Sequence, residues 1–289
     1  MFCFRLYCIA ECLFTSLKRL LLTTVLVCPL NSLAQNLPQW EMGLAFSGIH
    51  WPEYRGSASS RQYFIPLPII RVRGERFKIN EQGAEQWLNS TQRTRTTVNV
   101  SVGLPVPSES EGLRDGMAAL DSVFELGPSF EWLLWQRHKK HQSLTLNFPL
   151  RAAISMGRQG VNYRGWISAP FLFYKAQSRG KNRWKFNIAF GPQYADTSYH
   201  DYYYGVDVQY VTAKRVLYQA KQGYSGTRVT AYWEKIWRGR WWLGSFVRHD
   251  WLQRAGFLES PVVNKSSFTS FGVVFGWVFA KSKHLVEID

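Results

Sequence analysis

The stretch SFGVVFGWVF, residues 270–279, alternates two chemistries residue by residue. Phe271, Val273, Phe275, Trp277 and Phe279 form one set; Ser270, Gly272, Val274, Gly276 and Val278 form the other. A period of two marks a β-strand whose successive side chains point to opposite faces. The large face is almost wholly aromatic and neither face is charged. Such a strand suits either a water-free protein core or a wall that faces lipid, and the rest of the chain has to decide between them.

The same period recurs in segments of about ten residues. It is found in WEMGLAFSGI (40–49), RTTVNVSVGL (95–104), SLTLNFPL (143–150), RWKFNIAFG (183–191), RVTAYWEKIW (228–237) and RWWLGSFVRHDW (240–251). In RWKFNIAFG, Trp184, Phe186, Ile188 and Phe190 stand against Lys185, Asn187 and Ala189. The turns between segments are short and basic or glycine-containing, as in RHKKH, QSRGKN and RGR. Aromatics gather near segment ends, at Trp184, Phe190, Trp233, Trp237, Trp241, Trp242, Trp251 and Phe279. Outer-membrane barrels place aromatic girdles at those depths, whereas a soluble sandwich has no reason to. Gly56, Gly103, Gly127, Gly165, Gly191 and Gly223 read as turn, bulge or tight-packing positions.

Two stretches depart from the pattern. Residues 74–94 allow a short strand at Arg76–Asn80 and then turn polar, and 105–121 reads as a long loop belonging to the external face. Single-chain barrels of this kind have even strand numbers, so the expectation is an all-β, antiparallel, up-and-down transmembrane barrel of about 12 strands.

The N-terminal region supports export. KRLLLTTVLVCPLNSLAQ has the basic, apolar and small-residue regions of a secretory signal in order, with Ser32 and Ala34 placed for a cut before Gln35. Residues 1–34 are therefore expected to be a cleaved signal peptide and 35–289 the barrel, with 280–289 a short polar tail. Cys3, Cys8, Cys12 and Cys28 all precede the cut, so the exported chain has no thiol for a disulfide, a metal site or nucleophilic catalysis. Without Arg5, Lys18, Arg19 and Glu11, the 35 basic and 20 acidic residues become 32 and 19, leaving a charge of about +13. An exported chain with its charge spread over turns does not have nucleic acid as its partner.

No catalytic or metal constellation stands out. His200-Asp201 and His249-Asp250 are sequence neighbours, which on a strand point to opposite faces and so share no site by adjacency. His138 and His141 lie in a basic turn without acidic or cysteine partners. The reading is of a non-enzyme with no catalytic, cofactor or metal residues. The basic turns offer rim contacts at Arg137, Lys139, Lys140, Arg179, Lys181 and Arg183, suited to lipopolysaccharide phosphates outside or to anionic murein and partner proteins inside.

PEYRGS (52–57), PLP (66–68), LDSVFELGPSF (120–130), GP (191–192), YQAKQGY (218–224), ESPVV (259–263) and FGVVFGWVF (271–279) occur in an order that resembles the MipA/OmpV family, from Trp40 to Phe279. The resemblance implies a Gram-negative outer-membrane barrel. It further implies a scaffold joining a lytic transglycosylase to a murein synthase, with a porin-like channel for small solutes or a surface antigen as the alternative. The chain departs from the family pattern at Glu259, where Asp is expected, in the tyrosine-rich 201–210 segment, and in the residues that follow Phe279. A terminal strand of alternating apolar residues ending in Phe also resembles the signal read by barrel-assembly machinery, which assigns that role to Phe271, Val273, Phe275, Trp277 and Phe279.

Overall fold

A computed structural model describes residues 35–80, 83–103, 112–138, 141–157, 160–178 and 182–288, so the proposed signal segment 1–34 lies outside the described residues. The strands are β1 (Gln35–Pro38), β2 (Trp40–Pro52), β3 (Ser60–Arg73), β4 (Phe77–Asn80), β5 (Gly83–Ser90), β6 (Thr94–Gly103), β7 (Ser122–Arg137), β8 (Gln142–Gly157), β9 (Gly160–Ser168), β10 (Phe171–Gln177) and β11 (Arg183–Ala195). A helix, α1 (Thr197–Tyr204), precedes β12 (Gly223–Trp237), β13 (Trp241–Trp251), β14 (Ser267–Lys281) and β15 (Leu285–Ile288).

Consecutive strands pair antiparallel from β2 to β14, and β14 returns to β2 with Phe275 opposite Phe46. β9 and β10 are two halves of one strand. Both pair antiparallel with β8, Ser168 opposite Leu150 and Phe171 opposite Asn147, and both continue along β11. Pro170, which has no N–H to give a ladder, lies at the break. The segments therefore close a 12-strand barrel, the expected number.

Alternation sets the faces. Along β14, Phe271, Val273, Phe275, Trp277 and Phe279 point outward and are 51%, 52%, 45%, 44% and 52% exposed, while Ser270, Gly272, Gly276 and Val278 are buried inside. Glycine is needed inside because Trp242 and Ile69 crowd the lumen there: a Cβ on Gly276 would stand 2.7 Å from Ile69 Cδ1. Outside, Trp241 stacks on Phe275 and Trp277 at 5.6 and 6.1 Å between ring centroids. An apolar exterior around an antiparallel barrel is the arrangement that a bilayer accepts.

β5 is a strand where the sequence reads as polar chain. Its inward side chains, Glu85 and Trp87, bond to each other at 2.8 Å, so no apolar face announces it. Within the segment expected to be a polar tail, the described residues 280–288 include strand. Ala280 and Lys281 continue β14 against Met42 and Glu41, Ser282 N–H donates to Trp40, and Leu285–Ile288 pairs with Gln35–Pro38 in a two-stranded ribbon.

The two ends of the barrel differ. The connections after β3, β5, β7, β10 and β12 are short turns, and they share an end with the start of β2 and the finish of β14. At the other end lie 53–59, 112–121, 196–222 and 252–266. In barrels of this kind short turns lie on the periplasmic side and long loops on the exterior, so the long-loop end, which includes residues 112–121, is termed the outer end.

Candidate functional site

The outer end is a packed cap. Asp196 opens α1 as its N-cap, accepting from Tyr199 N–H at 2.8 Å and from Trp166 N–H at 3.0 Å. Gly165 lets the helix approach, since its φ is +103° and a Cβ there would lie 2.1 Å from Asp196 Oδ1. α1 then presents tyrosines to the barrel: Tyr199 donates its hydroxyl to Glu125 Oε1 at 3.0 Å, and Tyr204 stacks on Phe257. Burial pushes the phenols of Tyr199, Tyr203 and Tyr204 well above the usual tyrosine range. Tyr54, Met117, Leu120, Leu252, Phe257 and Val262, from three different loops, form a hydrophobic core with Tyr204 of α1.

The motifs of the sequence converge here. Tyr54 and Arg55 of PEYRGS, Ser260 and Val262 of ESPVV, and Tyr218 and Lys221 of YQAKQGY are bound to one another's neighbourhood. Tyr54 donates to the Val262 carbonyl at 2.7 Å, Ser260 Oγ to the Tyr204 carbonyl at 2.6 Å and Tyr218 to the Gly256 carbonyl at 3.2 Å. Gly56, read from sequence as a turn, bulge or tight-packing position, sits in a corner with φ +92°. The arginine before it adds an anchor that the turn chemistry does not foretell: Arg55 reaches Asp250 at 3.2 Å and Ser225 Oγ at 3.1 Å.

Beneath the cap the lumen is charged. Asp250 is fully buried and faces Arg55, Arg228 and Arg248, the last two at 2.9 and 2.6 Å. Toward the short turns, Glu41 meets Arg73, Arg71 and Arg183 at 2.6, 3.6 and 3.8 Å. Glu234 takes Lys185 at 2.7 Å, Tyr232 at 2.9 Å and Trp242 Nε1 at 3.3 Å. Each carboxylate is held by several donors, the condition under which a buried charge is tolerated.

His249 and Asp250 separate as strand alternation requires, whereas His200 and Asp201 lie on α1 and not on a strand. Asp250 is buried in the lumen, whereas His249 faces out, bonded to Thr269 at 2.8 Å and packed on Trp251. In α1, His200 is fully buried with Nδ1 at 2.6 Å from the Lys221 carbonyl, while Asp201 caps Ala220 N–H. Among the described residues no group of His, Cys, Asp and Glu is placed to hold a metal.

Of the rim residues, Arg137 ends β7 and is exposed. Arg183 is not a rim contact: it is buried and paired to Glu41, because as the first residue of β11 it falls on the inward face. Lys139, Lys140, Arg179 and Lys181 lie outside the described residues.

An apolar wall, a charged lumen, short turns at one end and a loop-built cap at the other define an outer-membrane β-barrel. The family model described as MltA-interacting protein MipA matches residues 44–279, and the chain belongs to that family. A comparison with curated proteins found no match. Among solved structures, the CymD monoaromatic hydrocarbon channel is 8% identical, covers 88% of this chain and 92% of its own, and has a TM-score of 0.33. The TodX deltaS2S3 mutant monoaromatic hydrocarbon channel is 10% identical over 86% of this chain and 91% of its own, with a TM-score of 0.28. Similarities of this size carry no functional inference.

Proposed function

We propose that the protein is exported by residues 1–34, resides in the outer membrane, and serves there as a scaffold that docks murein-remodelling enzymes on its periplasmic end. The observation that carries this reading is an asymmetry of charge. Arg76, Arg93, Arg137, Arg238, Arg240, Lys281 and Lys283 are exposed at the short-turn end, and Glu75 is the only exposed acidic side chain there among the described residues. A collar of one sign attracts anionic surfaces, either murein or an acidic face of a lytic transglycosylase or murein synthase. The family's description as MltA-interacting supports the same direction. Lipopolysaccharide contact then falls to Lys214, Arg254 and Lys265 in the outer loops. The outer cap agrees with a scaffold, since its hydrophobic core lies over the mouth that a general porin keeps open.

A second reading, a channel for small solutes, is favoured by the charged lumen lining. Capture of a lytic transglycosylase by the detergent-solubilised barrel, measured beside conductance in planar bilayers, separates the two. Steady open channels without capture would overturn the scaffold.

A further inference from the structure

The outward face of the wall changes chemistry where β2, β13 and β14 approach the long-loop end. Along β14 the outward set passes from Val273 and Phe271 to Thr269 and Ser267, and Lys265 stands just before the strand. On β2 the face passes from Phe46 to His50, which lies opposite Phe271; on β13 it passes from Val247 to His249, which lies opposite Thr269. Hydroxyl, imidazole and ammonium groups thus replace apolar ones at the depth where lipid head groups begin. No acidic residue takes an outward position on these three strands.

A cavity of about 250 Å³ opens at that depth, and His50, Ser57, Lys265, Ser267 and Thr269, all described residues, line it. Its parts are fixed in place. The N–H groups of Asn264 and Lys265 both donate to the Gly56 carbonyl, at 3.0 and 3.1 Å, which ties the entry to β14 to the corner after β2. His50 is stacked on Phe271 with ring centroids 5.1 Å apart. His249 Nδ1 lies 2.8 Å from Thr269 Oγ1; when the ring donates, the hydrogen of the Thr269 hydroxyl is left to turn into the cavity. Lys265 is exposed and makes no ion pair among the described residues. A cation with several neutral donors and no carboxylate beside it is a site for an anion, and phosphate oxygens accept from all of these groups. Directly below, Phe271, Val273 and Phe46 offer an exposed apolar surface.

We propose that this cavity seats the phosphate of an outer-leaflet lipid. Lys265 supplies the countercharge, His50, Ser267 and Thr269 donate to the phosphate oxygens, and the hydrocarbon chains run down over Phe271, Val273 and Phe46. The proposal rests on the reading that sets the long-loop end in the outer leaflet, and it is independent of enzyme docking at the short turns.

The test is native mass spectrometry of the detergent-solubilised barrel titrated with diphosphoryl lipid A, with the same lipid stripped of its phosphates, and with inorganic phosphate. Heat-modifiability confirms that each variant is folded. A saturable one-lipid adduct is expected, weakened about tenfold when the phosphates are removed and about tenfold in the double variant Lys265→Gln, His50→Gln, as the loss of charge-assisted bonds dictates. Lys235→Gln removes an exposed cation from the wall near the short turns and is expected to leave the affinity unchanged. Equal affinity for the two lipids, or full affinity in the double variant, would overturn the site. Inorganic phosphate bound as tightly as the lipid would overturn its assignment to a lipid. Orientation is read separately. Residues 35–289 contain no cysteine, so Lys265→Cys reports alone when whole cells are treated with a membrane-impermeant maleimide. Labelling only after the cells are broken would refute the outer placement, whereas the affinities judge the cavity itself.

Discussion

The hydroxyl of Tyr54 donates to the carbonyl of Val262 at 2.7 Å across 208 positions of sequence, joining the loop after β2 to the loop before β14. Tyr54 is 6% exposed, so Tyr54→Phe leaves that carbonyl without its donor in a dry setting. A loss of about 1–3 kcal/mol in cap stability is expected. Whole cells treated with a protease should show faster cleavage within 252–266 in the variant, with the barrel itself intact.

Asp250 is the common partner of Arg55, Arg228 and Arg248, and it is fully buried. Asp250→Asn keeps the shape and removes the charge, leaving three guanidinium groups facing one another. Breaking a buried ionic cluster from one side costs about 3–5 kcal/mol. The temperature at which the folded band disappears in a heat-modifiability gel should fall sharply, and by more than in Tyr54→Phe.

His200 gives the cap a pH dependence. Burial lowers its pKa from the ordinary 6.5, assisted by Arg55 and opposed by the Lys221 carbonyl and Asp196. Above 6.5 the ring is neutral whether the cap is closed or loosened, and closure keeps its full stability. As pH falls through 6.5 toward the lower closed-state value, the loosened form takes up a proton that the closed form refuses, so stability is lost. Protease sensitivity of the 196–222 loop should therefore rise between neutral pH and pH 5, and His200→Gln should flatten that rise.

Phe275 and Phe279 separate lipid burial from assembly. Phe275 lies opposite Phe46 in mid-wall, and Phe279 is two residues from the end of β14. Refolded into plain vesicles, Phe275→Arg is expected to cost about 2–4 kcal/mol and Phe279→Arg about 0–1, as depth dictates. In cells, the reading of β14 as the assembly signal predicts that Phe279→Arg lowers the folded yield as much as Phe275→Arg. A cellular yield that follows depth alone would leave that signal without support. Truncation after Ser282 should be tolerated, whereas removal of Ala280 and Lys281 takes pairs from the seam with β2.

The wall was legible because alternation is a local property. Phe271 to Phe279 declare their face within one strand, and the opposite directions of His249 and Asp250 follow from the same rule. β5 was not legible, since Glu85 and Trp87 satisfy each other inside and leave no apolar stripe. Arg183 looked like part of a basic turn and proved buried, because one position decides whether a residue next to a turn points in or out. The cap was invisible for a different reason. Its residues, from Tyr54 to Phe257 and Val262, come from loops without periodicity, and only the closed barrel brings those loops to one end. What the sequence did hold was the order of the short motifs, several of which meet there.

The most direct test of the docking role is titration of a lytic transglycosylase against the barrel in nanodiscs, with the collar intact and with Arg238, Arg240, Lys281 and Lys283 changed to Glu. Saturable binding that weakens as salt rises and is lost in the charge-reversed variant is the expected result. Equal binding by both barrels, or none by either, would contradict it.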